Sequence, residues 1–344
     1  MTLTGIGLIA VADASAPLAI RQFDDKFFFI KQQVYVVGIG LICMFILSFV
    51  NYKLWEKYAV LIFFASLGLL LLVLIPGFGN KYLGARRWLM LGPINFQPSE
   101  LVKLTLSIYI AKLAVGNKKI LAYFIPLGIV SLLVMLQPDM GTAMILVGAG
   151  LIQIFAAGVN IFSYFGMVLV GIVSGVALIF TSDYRRDRLI SFINHNQNIE
   201  SSYHIRQVLL AIGSGGLFGV GLGQSRQKFL FIPESASDSI FAIIAEEAGF
   251  IRSGLLLLIF FLLVFEGYKV ALQTENKFGK ILAIGITSWI GLQTVLNLSS
   301  MLSITPITGV PLPFISFGGT SIVMLLASSG ILLNISKYAK KQDK

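Results

Sequence analysis

Apolar runs of about 20 residues return along nearly the whole chain and carry almost no charge inside them. A run such as LICMFILSFV, 41–50, has neither the polar/apolar alternation of a membrane barrel strand nor a polar face for water. Such segments fall near 2–20, 34–50, 58–75, 99–115, 120–136, 140–157, 161–181, 239–265, 281–303 and 314–335. The pattern predicts an all-α polytopic membrane protein with about ten transmembrane helices. Only 12% of the 344 residues are charged, roughly half of what a soluble domain carries. No soluble domain, low-complexity linker or repeat interrupts the series, so 1–344 reads as a single integral membrane domain. The longest non-apolar region, 182–238, separates segments seven and eight. Within it SYHIRQVLLAIGSGGLFGVG reads as an amphipathic or re-entrant stretch followed by glycine-rich turns.

The net charge of +10 fits loop lysines facing anionic lipid headgroups. Nucleic acid binding is excluded as a function class, since no soluble domain exists to carry it. The single cysteine, Cys43, rules out an intrachain disulfide. No basic region precedes the first apolar stretch, so no cleavable signal peptide is expected. With ten spans both termini share a side. Leaving out the long loop, Lys and Arg concentrate on that side, with Lys337, Lys340, Lys341 and Lys344 among them. This favours cytoplasmic termini and an extracytoplasmic 182–238 loop.

Polar residues in so apolar a chain are the ones to question. In GARRWLMLGPINFQPSELVKL, 84–104, Pro98 opens a helix, Glu100 lies in its first turn and Lys103 follows three residues on. Glu100 and Lys103 share a face, as a structural ion pair or as the wall of a substrate cavity. Arg86 and Arg87 precede them in an outward loop, where two arginines can grip a pyrophosphate. Trp88 is equally an interfacial belt residue. In MLQPDMGTAM, Asp139 is a helix N-cap or a cavity residue. In SDYRRDRLISFI, Arg185, Arg186 and Arg188 form an interfacial anchor or a site for an anionic lipid head. In PESASDSIFAIIAEEAGF, 233–250, Asp238 stands at the mouth of segment eight, as an N-cap or as a general base. Glu246 and Glu247 lie deeper; two adjacent acids cannot share a helix face, and one is expected to pair with a base such as Arg252 or with a neighbouring helix. ITPITGVPLPFISFGGTS, 304–321, cannot be a plain helix and is expected to form the rim or floor of a site. His195 and His204 have no zinc-ligand spacing, and GSGG lacks the rest of a phosphate-binding loop.

GARRW, FQPSELVKL, QPDMGTA, GSGGLFGVGLGQSRQKF, IFAIIAEEAGF and PLPFISFGGTS, in this order over nearly the whole chain, resemble the SEDS family of integral membrane proteins. That family includes FtsW, RodA and SpoVE. YRRDRLISF and GLGQSRQKF look more like its division and sporulation branch. The resemblance implies a ten-helix SEDS fold, distantly like GT-C enzymes, that polymerises lipid II on the outer face of the bacterial cytoplasmic membrane. It implies inverting transfer onto the GlcNAc 4-hydroxyl of an incoming lipid II, with undecaprenyl pyrophosphate released from the nascent glycan strand. It matches the family's essential aspartate to Asp238, its acid and base in the fourth helix to Glu100 and Lys103, its QPD aspartate to Asp139 and its loop tryptophan to Trp88. Arg86, Arg87, Arg185 and Arg186 are ranked first for stabilising the leaving pyrophosphate, with a divalent cation, Mg or Mn, as the alternative; no other cofactor is expected. The implied partners are a class B penicillin-binding protein, which is a transpeptidase, and other division proteins at the septum.

The sequence departs from the family twice. The pattern PE-x-HTDFIFA stands here as PESASDSIFA, placing Ser239 where the family has Phe. The pattern GL-x-MVYSAS stands as GLIAVADASA, with few apolar residues before it. That makes segment one a marginal span with an internal Asp13, which a start further upstream would explain. A lipid II flippase and a non-catalytic scaffold of the division complex are the rival readings.

Overall fold

The computed structural model describes residues 1–82, 85–91, 94–180, 199–229, 236–306 and 308–339. Each of the ten apolar segments coincides with a helix: α1 (Thr2–Phe23), α2 (Phe28–Phe49), α3 (Lys53–Leu74), α4 (Pro98–Val115), α5 (Ile120–Leu136), α6 (Met140–Ala156), α7 (Ile161–Phe180), α9 (Ile240–Gln273), α10 (Lys277–Met301) and α11 (Gly319–Lys337). Among the described residues one more helix, α8 (Ile199–Ser214), lies in the long region between α7 and α9. Among the described residues six helices, α1, α2, α3, α9, α10 and α11, are long and apolar enough to cross a membrane. α5, α6 and most of α7 are shorter apolar helices. The first helix is longer than its sequence pattern suggests: α1 has 22 residues with a mean hydropathy of 1.7, despite Asp13 and Pro17.

A small sheet, absent from the sequence expectation, fills the α3–α4 connection. Its strands β1 (Gly79–Tyr82), β2 (Ala85–Leu91) and β3 (Ile94–Phe96) run antiparallel in the order β1-β2-β3. Short strands of three to seven residues were hidden behind Gly and Pro turn signals.

The chain forms two compact units. The first comprises Met1–Val37, Ser174–Leu262 and Gln293–Gly318; the second comprises Gly38–Val173, Leu263–Leu292 and Gly319–Lys344.

In the second unit α4 is the central element, packed by α3, α5, α6, α11 and β2. Gln97, in extended conformation, precedes Pro98, whose missing N–H costs nothing at the first helical position. Most of the α4 side chains are buried, charged ones included. At one end of this unit the Lys277 ammonium meets Asn117, the Tyr52 amide donates to Asn334, and the Tyr52 ring packs on Tyr338. The connections after α2, α4 and α9 therefore gather with the end of α11.

In the first unit α1 comes close to the irregular 302–318 segment. A Cβ on Gly7 would lie 2.6 Å from the Phe314 carbonyl oxygen, so only glycine permits this approach. That segment is non-helical, as its Pro and Gly content predicts, and side chains satisfy its backbone. Gln33 donates to the Ser316 carbonyl at 3.3 Å, Gln293 to the Pro311 carbonyl at 2.9 Å, and Ser316 accepts from the Leu312 amide at 2.8 Å. Such payment for irregular backbone is required in hydrocarbon.

α9 is broken at Gly249, whose φ of 78° and ψ of 176° are not helical. The glycine-rich loop after α8 docks on the break. Val220 and Gly221 amides donate to the Glu246 and Glu247 carbonyls at 3.0 and 3.1 Å. Phe250 and Ile251 amides donate to the Gly216 and Leu217 carbonyls at 2.9 and 3.2 Å. Gly219 and Gly249 cross in contact: a Cβ on Gly249 would lie 2.2 Å from the Gly219 nitrogen.

Candidate functional site

The second unit holds the fourth-helix ion pair. Lys103 Nζ lies 2.7 Å from Glu100 Oε1, and both side chains are buried. The ammonium also sits 4.9 Å from the Trp289 ring centre, a cation–π contact that water does not weaken here. A small cavity beside Lys103 is lined by Ser107, Ile145, Gln153 and Trp289. Gln153 donates to the Ser107 and Ile281 carbonyls at 2.7 and 3.0 Å. Its Oε1 and Glu100 Oε2 are buried with no hydrogen-bond partner among the described residues.

Asp139 is the N-cap of α6. Its carboxylate accepts from the Thr142 amide at 3.1 Å, the Thr142 hydroxyl at 2.9 Å and Gln97 Nε2 at 3.3 Å. The capping alternative thus accounts for its contacts. Arg86, Arg87 and Trp88 lie on β2, not in a loop. β1 pairs Asn80 with Trp88 and Lys81 with Arg86, which leaves Arg87 as the extra residue of a bulge. Bulges re-aim side chains. Here the Arg87 guanidinium donates to the carbonyls of Gln137 (3.0 Å) and Pro138, pinning the turn before Asp139. The Arg87 fork is engaged by backbone, while Arg86, half-buried, is outside these bonds. Arg185 and Arg186 lie outside the described residues.

The first unit holds Asp238, buried with 8% of its surface exposed, in a turn just before Ile240 opens α9. Its Oδ1 accepts from the Ser239 hydroxyl at 3.4 Å and the Ser237 hydroxyl at 3.5 Å. Its main chain is clamped from α10: Asn297 Nδ2 donates to the Asp238 carbonyl at 2.7 Å and to the Val310 carbonyl at 2.8 Å. One amide thus joins the aspartate turn to the 302–318 segment. The Phe317 amide donates to the Ala236 carbonyl at 2.9 Å, a second tie between the same two stretches. A Cβ on Gly309, at φ 65°, would lie 3.9 Å from Asp238 Oδ2.

Deeper in α9 the two glutamates reach one loop, contrary to expectation. Glu246 accepts from the Ser225 hydroxyl and, at 3.1 Å, from the Arg226 amide; Glu247 accepts from the Ser225 amide at 3.0 Å. They converge because the loop wraps the end of this half-helix, just before the break. The base that pairs with Glu247 is Lys228, at 2.9 Å, rather than Arg252. Lys228 also binds Asp13 of α1 at 2.7 Å. Burial alone would lower the Lys228 ammonium, but the hydrogen bonds to Asp13 and Glu247 outweigh it and hold its pKa above the ordinary value. It therefore stays protonated at neutral pH, and Asp13 loses its oddity as a charge in a span.

Sequence reasoning missed Asn297, Gln293, Gln153 and Gln33, and the pairing of Lys228 with Glu247 and Asp13. The first four carried a usable signal, an amide inside or beside an apolar run.

A helical membrane protein with a buried acid–base pair in one unit and a clamped aspartate beside irregular backbone in the other is the class that the fold and these residues define. The chain belongs to the FtsW/RodA/SpoVE family, whose model, described as "Cell cycle protein", matches residues 1–341. It is 42% identical over 349 aligned residues to stage V sporulation protein E of Bacillus subtilis (strain 168), covering 99% of this chain and 95% of that protein. It is 38% identical to the probable peptidoglycan glycosyltransferase FtsW of Geobacter sp. (strain M18), covering 97% of this chain and 94% of the relative. Among solved structures it matches the Thermus thermophilus rod shape-determining protein RodA with a TM-score of 0.71 and 28% identity, covering 99% and 97% of the two chains. A chain of a peptidoglycan synthase complex, solved for its coordination of polymerization and crosslinking, matches with a TM-score of 0.75 and 27% identity over 96% of each chain.

Proposed function

We infer that this chain is a peptidoglycan glycosyltransferase of the bacterial membrane, acting in cell division or sporulation, with Asp238 as its general base. The observation that carries the role of Asp238 is its setting: a buried carboxylate whose main chain is tied by Asn297 to the 302–318 segment. A base must be held in place and partly shielded from water to take a proton from a neutral hydroxyl. The relatives' names support the reaction class. The acceptor is the GlcNAc 4-hydroxyl of lipid II. Its O–H bond breaks toward Asp238 as the oxygen attacks C1 of the MurNAc at the end of the growing strand. The C1–O bond to undecaprenyl pyrophosphate breaks on the opposite side, so the configuration inverts. Arg86 is the described arginine we assign to the developing charge, with Arg185 and Arg186 as further proposals. Glu100 and Lys103 are proposed to bear on the substrate, the role that the resemblance implies for them.

No group of three His, Cys, Asp or Glu side chains among the described residues comes together as metal ligands. The described residues do not form an all-protein cation cage; a Mg or Mn ion would enter with the substrate pyrophosphate, as Mg commonly does. We further propose a class B penicillin-binding protein as partner, on the strength of the similar chain from a synthase complex. Cytoplasmic termini, an outward 182–238 loop, septal placement and contact with other division proteins belong to the same proposal.

The test is glycan polymerisation from purified lipid II, with the cognate transpeptidase present, comparing wild type with Asp238→Asn. Polymer from wild type and a loss of at least about a hundredfold in a folded variant supports the base. Equal polymer from both removes Asp238 from the mechanism. No polymer from either transfers the weight to lipid II flipping or to a scaffold.

A further inference from the structure

Of the two hydroxyls that touch Asp238, that of Ser239 is itself held by a histidine. His204, on α8, lies with Nε2 3.1 Å from Ser239 Oγ, and Ser239 Oγ is 3.4 Å from Asp238 Oδ1. Ser239 is fully buried, so its one hydrogen is given to a protein acceptor. His204 is half-buried and 35 residues away in sequence. Ser239 also stands where the family pattern quoted above has Phe, a side chain with no hydrogen bond to pass on.

We propose that His204 and Ser239 are positioning residues for Asp238, forming a His–Ser–Asp hydrogen-bonded relay that this chain uses to orient its base. With a proton on Nε2, His204 donates to Ser239 Oγ. The serine hydrogen is then directed at Asp238 Oδ1, and the carboxylate is fixed in rotation. Hydrogen bonds in such a chain polarise one another, so each link strengthens the next. The Ser–Asp hydrogen bond is long here, and catalytic hydrogen bonds commonly tighten on forming the substrate complex.

The inference rests on the reading of Asp238 as base, and the experiment separates the two. Polymerisation from purified lipid II is followed for wild type, Asp238→Asn, His204→Ala, Ser239→Ala, the double alanine variant and His204→Gln, each checked for its melting temperature. Gln offers an amide nitrogen near the Nε2 position. Expected are kcat losses of roughly tenfold for each alanine variant, with KM and melting temperature near wild type. The double variant is expected to be no worse than either single one, since both break the same chain. His204→Gln should recover most of the rate. Wild-type rates in His204→Ala and Ser239→Ala, beside a dead Asp238→Asn, overturn the relay and leave the base intact. Losses that multiply in the double variant, or that follow melting temperature and are not rescued by Gln, also overturn it. An active Asp238→Asn removes the base itself.

Discussion

Asp139 and Asp238 are two aspartates at the threshold of a helix, and the fold treats them differently. Asp139 spends its oxygens on Thr142 and Gln97. Asp238 is held by its main chain, and the bonds described to its carboxylate come from hydroxyls. Capping was legible for Asp139 because donor and acceptor lie three residues apart. The company of Asp238 was not, because Asn297 and His204 arrive from distant helices. The Glu100–Lys103 pair was fully legible from its spacing, but spacing could not say whether it supports or reacts. A paired substitution separates the two. Glu100→Gln should cost about 3–5 kcal/mol in a thermal or chemical unfolding assay, because it strands a buried ammonium. Glu100→Gln with Lys103→Met should regain most of that stability. If the recovered protein polymerises lipid II at wild-type rate, the pair is structural; if it folds and is inactive, the pair lines the substrate pocket.

Among the elements, α9 departs furthest from its sequence reading. Its apolar run continues through Gly249, and periodicity gives no sign of a break. The break exists because a partner loop supplies what the helix gives up, a tertiary effect that local propensity does not encode. The sheet between α3 and α4 was missed for a related reason: strands this short carry no period long enough to read. The clearest consequence for α9 concerns its glycine crossing. Gly249→Ala or Gly219→Ala sets a methyl group against backbone at a positive φ, with no flexible side chain to yield. Each should destabilise the folded protein by roughly 3 kcal/mol or more. Gly213→Ala, with open space around it, is the control and should be neutral or mildly stabilising in the same unfolding assay.

At the scale of the molecule, the run of apolar segments made the class legible before any contact was known, since hydrocarbon admits so few backbones. The division into two compact units was not legible, because helices such as α9 and α10 contribute to both. Within the second unit the gathering of the Asn117, Tyr52, Lys277 and Tyr338 connections fits one common side for the loops after α2, α4 and α9. Cys43 replaced by Ser gives a background without thiols. Lys118→Cys and Ala339→Cys should then react with an impermeant maleimide only after the membrane is opened, and Leu222→Cys in intact cells. The reverse pattern would put the glycine-rich loop, and Asp238 with it, on the cytoplasmic face, where the proposed polymerisation does not occur.

Connecting loops are ordinarily the part of a protein freest to gain or lose residues. The loop docked on Gly249 has no such licence. All four hydrogen bonds across the helix break are made by residues 216–221. Removing one residue there would slide the partners out of register and bare two carbonyls and two amides on each side of the contact. Among relatives of this chain, length variation should therefore collect elsewhere in the long α7–α9 connection. The stretch that looks most like a flexible linker is the one that must keep its count.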